Sequence, residues 1–190
     1  MKMVYVDLET TGLDPEKNGV IQIAAIVEID GEVKELVNLT VRPFMGDIVT
    51  EEALKVNGRT IEDLRAFRPA AEVYNEFVGV LGKYVDKYDW KDKFLWVGYN
   101  ALFDSSFMRA WFKKNDDAYF GSWFFFPTLD VMVLAAAYLM EDRAEMKNFQ
   151  LDSVAEMLDV KLEGKLHDAM TDIRMTRDIF KKFKVVASHP

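Results

Sequence analysis

Residues 3–14 read MVYVDLETTGLD, an apolar run that ends in two acids one residue apart and then a Thr-Thr-Gly turn. Side chains two apart on a strand point to the same face. Asp7 and Glu9 therefore stand side by side at the end of a strand whose earlier residues are suited to burial. Such a pair repels itself and is costly to desolvate. An arrangement so unfavourable points to a ligand that reverses the sign of the interaction.

Working outward, residues 20–29 (VIQIAAIVEI) form a second strand, and Asp30-Gly31 is a two-residue hairpin signal. Residues 33–41 alternate as the returning third strand, which completes a meander. After Pro43 the pattern turns helical. A short helix over 50–56 ends at Asn57-Gly58, and Thr60-Ile61-Glu62-Asp63 opens another with a capping box. Pro69 opens a longer helix with Val73, Phe77, Val80, Leu81 and Tyr84 on one face. Residues 94–97 are a short buried strand, and 101–114 a helix with Phe103, Phe107, Ala110 and Trp111 inward. The aromatic run Trp123 to Phe126 before Pro127 predicts a fifth strand. Helices follow over about 130–140, 151–158 and 168–183. A meander followed by alternating helices and strands predicts one α/β domain over 1–185 with a five-stranded mixed sheet, and a flexible tail over 186–190.

The 190 residues, half of them hydrophobic, suffice for one well-cored domain. Cysteine is absent, which excludes thiolate metal sites and cysteine nucleophiles. No apolar run approaches the roughly 20 residues of a membrane span, and no signal-peptide layout is seen, so a cytoplasmic protein is expected. Net charge is −8, from 32 acids against 24 bases. That argues against coating a long nucleic-acid duplex, which needs Lys and Arg to neutralise phosphates. It leaves room for a site that meets a few phosphates through bound cations.

Two more acids interrupt apolar surroundings. Asp104 lies in VGYNALFD, in the first turn of a helix, and Asp172 lies in LHDAMTDI, five residues after His167. Converging carboxylates oppose folding unless divalent cations lie among them. Hard oxygen donors suit Mg²⁺ or Mn²⁺, and a pair of such ions can clamp the attacking and leaving oxygens of a phosphoryl transfer. A histidine near neutral pKa can take the proton of the attacking water. The chain has two histidines, and His189 is next to last, so His167 is the candidate.

DLETTGL, GYNALFD and HDAMTD, in that order, resemble the three motifs of the DEDDh (DnaQ-like) 3′→5′ exonucleases, a family of ribonuclease H-like fold that includes the proofreading subunit of bacterial DNA polymerase III. The resemblance runs from Tyr5 to about Phe183, with supporting matches at VIQIAA, ALKVNG and LDSVAEML. It implies two divalent cations, Mg²⁺ or Mn²⁺, held by Asp7, Glu9, Asp104 and Asp172, with His167 as general base. Leu8, Thr10, Thr11 and Leu13 would line the terminal nucleotide, Leu13 as an apolar wedge, and Asn100 and Phe103 would shape the pocket at the adjoining base. The implied reaction releases nucleoside 5′-monophosphates from single-stranded or frayed DNA ends, beside a polymerase or repair partner. Trimming of RNA is the alternative substrate, and a catalytically silent nucleic-acid-binding module the alternative class. Tyr99 departs from the family's usual His and is read as a packing residue. Asp130 reads as a helix cap, Lys113-Lys114 as a helix end, and Arg174 and Arg177 as solvated helix residues.

Overall fold

Strand β1 (Lys2–Thr10) pairs antiparallel with β2 (Val20–Ile29), and β2 pairs antiparallel with β3 (Glu32–Thr40). The β2–β3 link is the expected tight hairpin: Asp30 and Gly31 both adopt positive φ, 52° and 88°, which matches the right-handed twist of the flanking strands. The computed structural model describes residues 1–161 and 168–187.

Helices α1 (Glu51–Asn57), α2 (Ile61–Ala66) and α3 (Ala70–Gly82) follow the meander. Their ends are set locally. Thr50 accepts from the Ala53 amide, Gly58 closes α1 at φ 64°, and Thr60 and Asp63 form a reciprocal capping box. Strand β4 (Leu95–Gly98) then runs parallel to β1, with Val4 opposite Trp96. Helix α4 (Ala101–Lys114) leads to β5 (Leu129–Asp130), parallel to β4. The sheet order is β3-β2-β1-β4-β5. Helices α5 (Val131–Tyr138), α6 (Leu151–Met157) and α7 (Ala169–Ala187) complete the described chain.

The fifth strand is two residues long and lies at Leu129–Asp130, not over the aromatic run 123–126. Trp123 and Phe124 are buried as expected, but Phe124 makes only an isolated bridge to Phe94. Pro127 has no amide to donate, so the ladder resumes beyond it. Helix α7 continues through Ala187, past the expected boundary at 185, while 188–190 lie outside the described residues.

Alternation along β1 divides the core. Val4, Val6 and Leu8 face an aromatic layer that includes Phe77 of α3, Trp96 of β4 and Phe107, Trp111 and Phe112 of α4. Met3 and Tyr5 face the other way, toward Val131 and Ala135 of α5, Val154 of α6, and Ile173 and Ile179 of α7. Burying each large apolar side chain contributes about 1.5–3 kcal/mol. Lys113 and Lys114 close α4 as basic residues of its last turn, as expected, whereas the reading of Arg177 is corrected. Arg177 is not a solvated helix residue: its Nε and Nη2 reach Glu28 Oε2 at 2.8 and 2.6 Å in a mostly buried pair. Lys114 donates to the Asn18 carbonyl and pairs with Asp47, because the chain after β3 folds back against the end of α4. Among the described residues no helix is long and apolar enough to cross a membrane.

Candidate active site

The parity that buries Met3 and Tyr5 carries on to Asp7 and Glu9, so both carboxylates point toward α7 at the carboxyl end of β1. They remain partly exposed. Asp104 arrives from the other layer. It is 3% exposed, and its Oδ1 accepts the Leu8 amide at 3.0 Å, which ties the first turn of α4 to the strand end. Asp172 comes from the first turn of α7.

The electrostatics show that these acids share one neighbourhood. Burial raises Asp7 well above the ordinary carboxylate range, and Asp104, Glu9, Asp172 and Asp168 each raise it further. Burial likewise lifts Glu9 to about 8, with Asp172 and Asp168 adding to it and Arg59 pulling it down. Burial also raises Asp104, although the Leu8 amide opposes the shift. Burial and neighbouring acids that penalise the charged forms of Asp7, Glu9 and Asp104 call for a compensating positive charge. Among the described residues no three of them close on one point in metal-binding geometry. The donor set itself, all carboxylate oxygen, is nevertheless the chemistry that Mg²⁺ or Mn²⁺ prefers.

Local structure positions each wall. Gly98 lets β4 turn closely into α4: a Cβ there would stand 3.3 Å from the Val6 carbonyl and from Ala101, closer than most side chains pack. Asn100 then takes the left-handed conformation, φ 58°, which Asn tolerates better than most residues. Asp130 holds this turn. Its carboxylate accepts the Asn100, Ala101 and Met132 amides at 3.0, 3.1 and 3.0 Å, so it caps α5, as expected, and clamps the start of α4 as well. On the opposite side, α1 is laced to the turn after β1. The Thr50 amide donates to the Thr11 carbonyl at 2.9 Å, and Asn57 Nδ2 donates to the Thr10 carbonyl at 2.9 Å.

Acids of this site line two hollows. One, of about 630 Å³, is lined by Leu8, Glu9, Thr10, Leu13, Asn57 and Phe103 among others. The other, of about 370 Å³, is lined by Asp7, Asp172, Tyr99, Asn100 and the Gln150–Asp152 start of α6. Leu13 is 85% exposed at the mouth of the first hollow. Thr11 departs from its expected place. Its side chain is fully buried, its hydroxyl donates to the Ile48 carbonyl and accepts the Gly19 amide, both at 2.7 Å, and it anchors the turn from beneath. The Tyr99 hydroxyl donates to the Phe149 carbonyl at 2.6 Å, in keeping with a packing role. His167 lies outside the described residues.

Three participants escaped the sequence reading. Asp168 accepts from the Thr171 amide and hydroxyl at 3.2 Å each and from Gln22 Nε2 at 3.3 Å, while its charge bears on Asp7 and Glu9. Its cap-like spacing to Thr171 was a usable signal. The Asn57 and Asp130 ties to backbone are long-range contacts that no local pattern encodes.

A mixed sheet with acids gathered beyond its central strands, between α4 and α7, is an architecture suited to chemistry on a charged substrate. The model of the family described as Exonuclease matches residues 4–180, and the chain belongs to that family. Over 180 residues, 95% of this chain, it is 31% identical to a "DNA polymerase III PolC-type" of Thermotoga petrophila, of which the matched stretch is 12%. A "DNA polymerase III subunit epsilon" of Aquifex aeolicus is 29% identical over 179 residues, 94% of this chain and 78% of that protein. Among solved structures, E. coli Exonuclease I in complex with a dT13 oligonucleotide superposes with a TM-score of 0.77 at 23% identity, covering 96% of this chain and 41% of that one. That likeness shows the fold.

Proposed function

We propose that this protein is a 3′→5′ exonuclease that removes nucleoside 5′-monophosphates from single-stranded or frayed DNA ends. The observation that carries the proposal is the convergence of Asp7, Glu9, Asp104 and Asp172, from three distant stretches of chain, on one sheet end in a chain of the Exonuclease family. Two divalent cations, Mg²⁺ or Mn²⁺, would be held by these four carboxylates and would supply Lewis-acid stabilisation of charge on the scissile phosphate.

The chain's own residues do the rest. Asp104, pinned to the Leu8 amide, and Asp7, set by the β1 ladder, keep their oxygens in place with little freedom to relax apart. Thr10, whose hydroxyl donates to the Gly12 carbonyl at 2.7 Å, shapes the turn beneath the terminal nucleotide. Leu13 and Phe103, which both line the larger hollow, offer apolar surface to bases, and Asn100 borders the smaller hollow. His167, the residue before Asp168, is proposed as the base that takes the proton of the attacking water. A polymerase or repair protein is the proposed partner, in keeping with the polymerase names of the relatives, and the cytoplasm the proposed setting.

A 5′-labelled single strand incubated with Mg²⁺ or Mn²⁺ should give a ladder shortening from the 3′ end. No ladder with either cation, or a ladder that persists in Asp7→Ala, would overturn the proposal. A matched RNA strand run in parallel reports the substrate: faster loss of RNA would move the assignment to an exoribonuclease.

A further inference from the structure

The outer face of α4 carries a second feature that the carboxylate site does not use. Leu102, Ser105, Ser106 and Arg109 form one stripe along α4 and floor a hollow of about 380 Å³. Its facing wall is the segment that begins at Phe124 and runs through Phe126 and Thr128. A neighbouring hollow of about 740 Å³ shares Lys93, Phe125, Phe126 and Thr128 with the first, so the two form one continuous groove. Both walls start near the active site, and the groove ends at Met1, Lys2 and Leu95, at the other end of β1 and β4. Helix α4 starts beside Asn100, and Asp130, two residues beyond Thr128, clamps the Asn100 and Ala101 amides.

The groove has the wrong composition for ordinary surface on a chain of net charge −8. Phe126 is 91% exposed and Leu102 70%. No carboxylate lines the hollow over α4, while Lys93 and Arg109 do. Lys91, Lys93 and Arg109 make no salt bridge among the described residues. The acids of the adjacent loop are turned to its own backbone. Asp86 accepts the Tyr88 amide, Asp89 the Lys91 amide, and Asp92 the Asp86 amide while pairing with Lys2. Lys93 Nζ donates to the Gly121 carbonyl at 2.6 Å, Arg109 lies 4.5 Å from the Phe120 ring centroid and Lys91 Nζ 5.2 Å from that of Trp90, so none of the three is neutralised by a carboxylate.

We propose that this groove binds single-stranded nucleic acid, carrying the part of the strand 5′ to the cleaved end away from the active site along α4. Exposed aromatic faces with unpaired cations are the chemistry of a base-stacking, phosphate-neutralising platform. Charge complementarity selects this occupant over a protein segment: Lys91, Lys93 and Arg109 line the groove against a single carboxylate, Asp92, which pairs with Lys2. The proposal rests on the exonuclease reading for its direction, and its test separates the two.

Wild type, Phe126→Ala and the double variant Lys91→Glu/Lys93→Glu would be compared on single strands of about three and about 20 nucleotides, as both oligothymidylate and oligouridylate. For the long strand the variants should raise KM about tenfold and leave kcat unchanged. For the short strand, which does not reach the groove, kcat/KM should stay as in wild type. Binding of a labelled long strand, followed by anisotropy in chelator, should weaken equally. The double variant should also flatten the log–log salt dependence by about 0.7 per lost phosphate contact. Equal losses on both lengths, or none on either with unchanged anisotropy, would overturn the groove. Absence of cleavage at either length would sink the exonuclease reading alone, since the anisotropy series still decides the groove.

Discussion

The first half of β1, Met3 to Val6, and its second half, Asp7 to Thr10, share one ladder with β2 and differ in what their side chains meet. Every residue of the first half is buried among apolar partners in one core layer or the other. In the second half, two acids stand partly exposed among three more carboxylates, and the ladder shifts register between Glu9 and Thr10. One strand therefore carries a stabilising end and a destabilised end only a few residues apart. The difference shows how the fold sustains its site: the apolar half and its parallel partner β4 hold the backbone, so the acidic half can keep a constellation that repels itself.

The sharpest way to break this contrast is Asp7→Asn. It keeps the shape and removes one of the mutually repelling carboxylates, so activity on a labelled strand should fall at least about 10³-fold. The same change should raise the melting temperature in chelator. A variant that loses activity and stability together would place Asp7 with the stabilising half. Trp96→Ala attacks the other end. Trp96 sits opposite Val4 and is fully buried, and its loss should cost about 3–5 kcal/mol in denaturant unfolding. Protein that still folds should retain its stabilisation by divalent cation.

Titration tests the acidic half alone. Burial and the nearby Asp172 and Asp168 hold the Glu9 carboxyl up to about 8, against an ordinary 4.5. The unfolded chain releases that proton near its ordinary value, and the folded chain keeps it until about 8. Between those limits the folded state binds more protons than the unfolded one. Its stabilising contribution is therefore complete below the ordinary value and is lost as pH rises through about 8. Thermal melts in chelator should show the midpoint falling across this window, and Mg²⁺ or Mn²⁺ should reduce or reverse the fall by taking the proton's place. A flat profile would mean that Glu9 is better solvated than its surroundings indicate. The smallest effect is expected from Asn57→Ala, which removes one hydrogen bond to the Thr10 carbonyl. It should cost about 1 kcal/mol of stability and raise KM more than it lowers kcat.

Much of this was legible from residues. Alternation and the Asp-Gly turn define the meander, and helix ends are written in short signals such as Thr60 with Asp63 and Asn57-Gly58. Trp123 and Phe124 of the aromatic run at 123–126 are buried without being a strand: Phe124 packs on Trp96 and Phe120, and its only pairing among the described residues is the isolated bridge to Phe94. Arg177 misled because its partner Glu28 lies 149 residues earlier, and no local pattern announces such a pair.

The sequence alone determined which acids are anomalous, their order along the chain and the alternation that sets Asp7 and Glu9 on one face, since these depend on spacing within single elements. Only the tertiary structure decided that Asp104 is locked to the Leu8 amide, that Asp168 joins the carboxylates, that Thr11 lies beneath the turn, and that Asp130 ties the end of β5 to the start of α4. Those contacts join residues far apart in the chain. Their existence depends on how closed layers pack, which periodicity within one element does not encode.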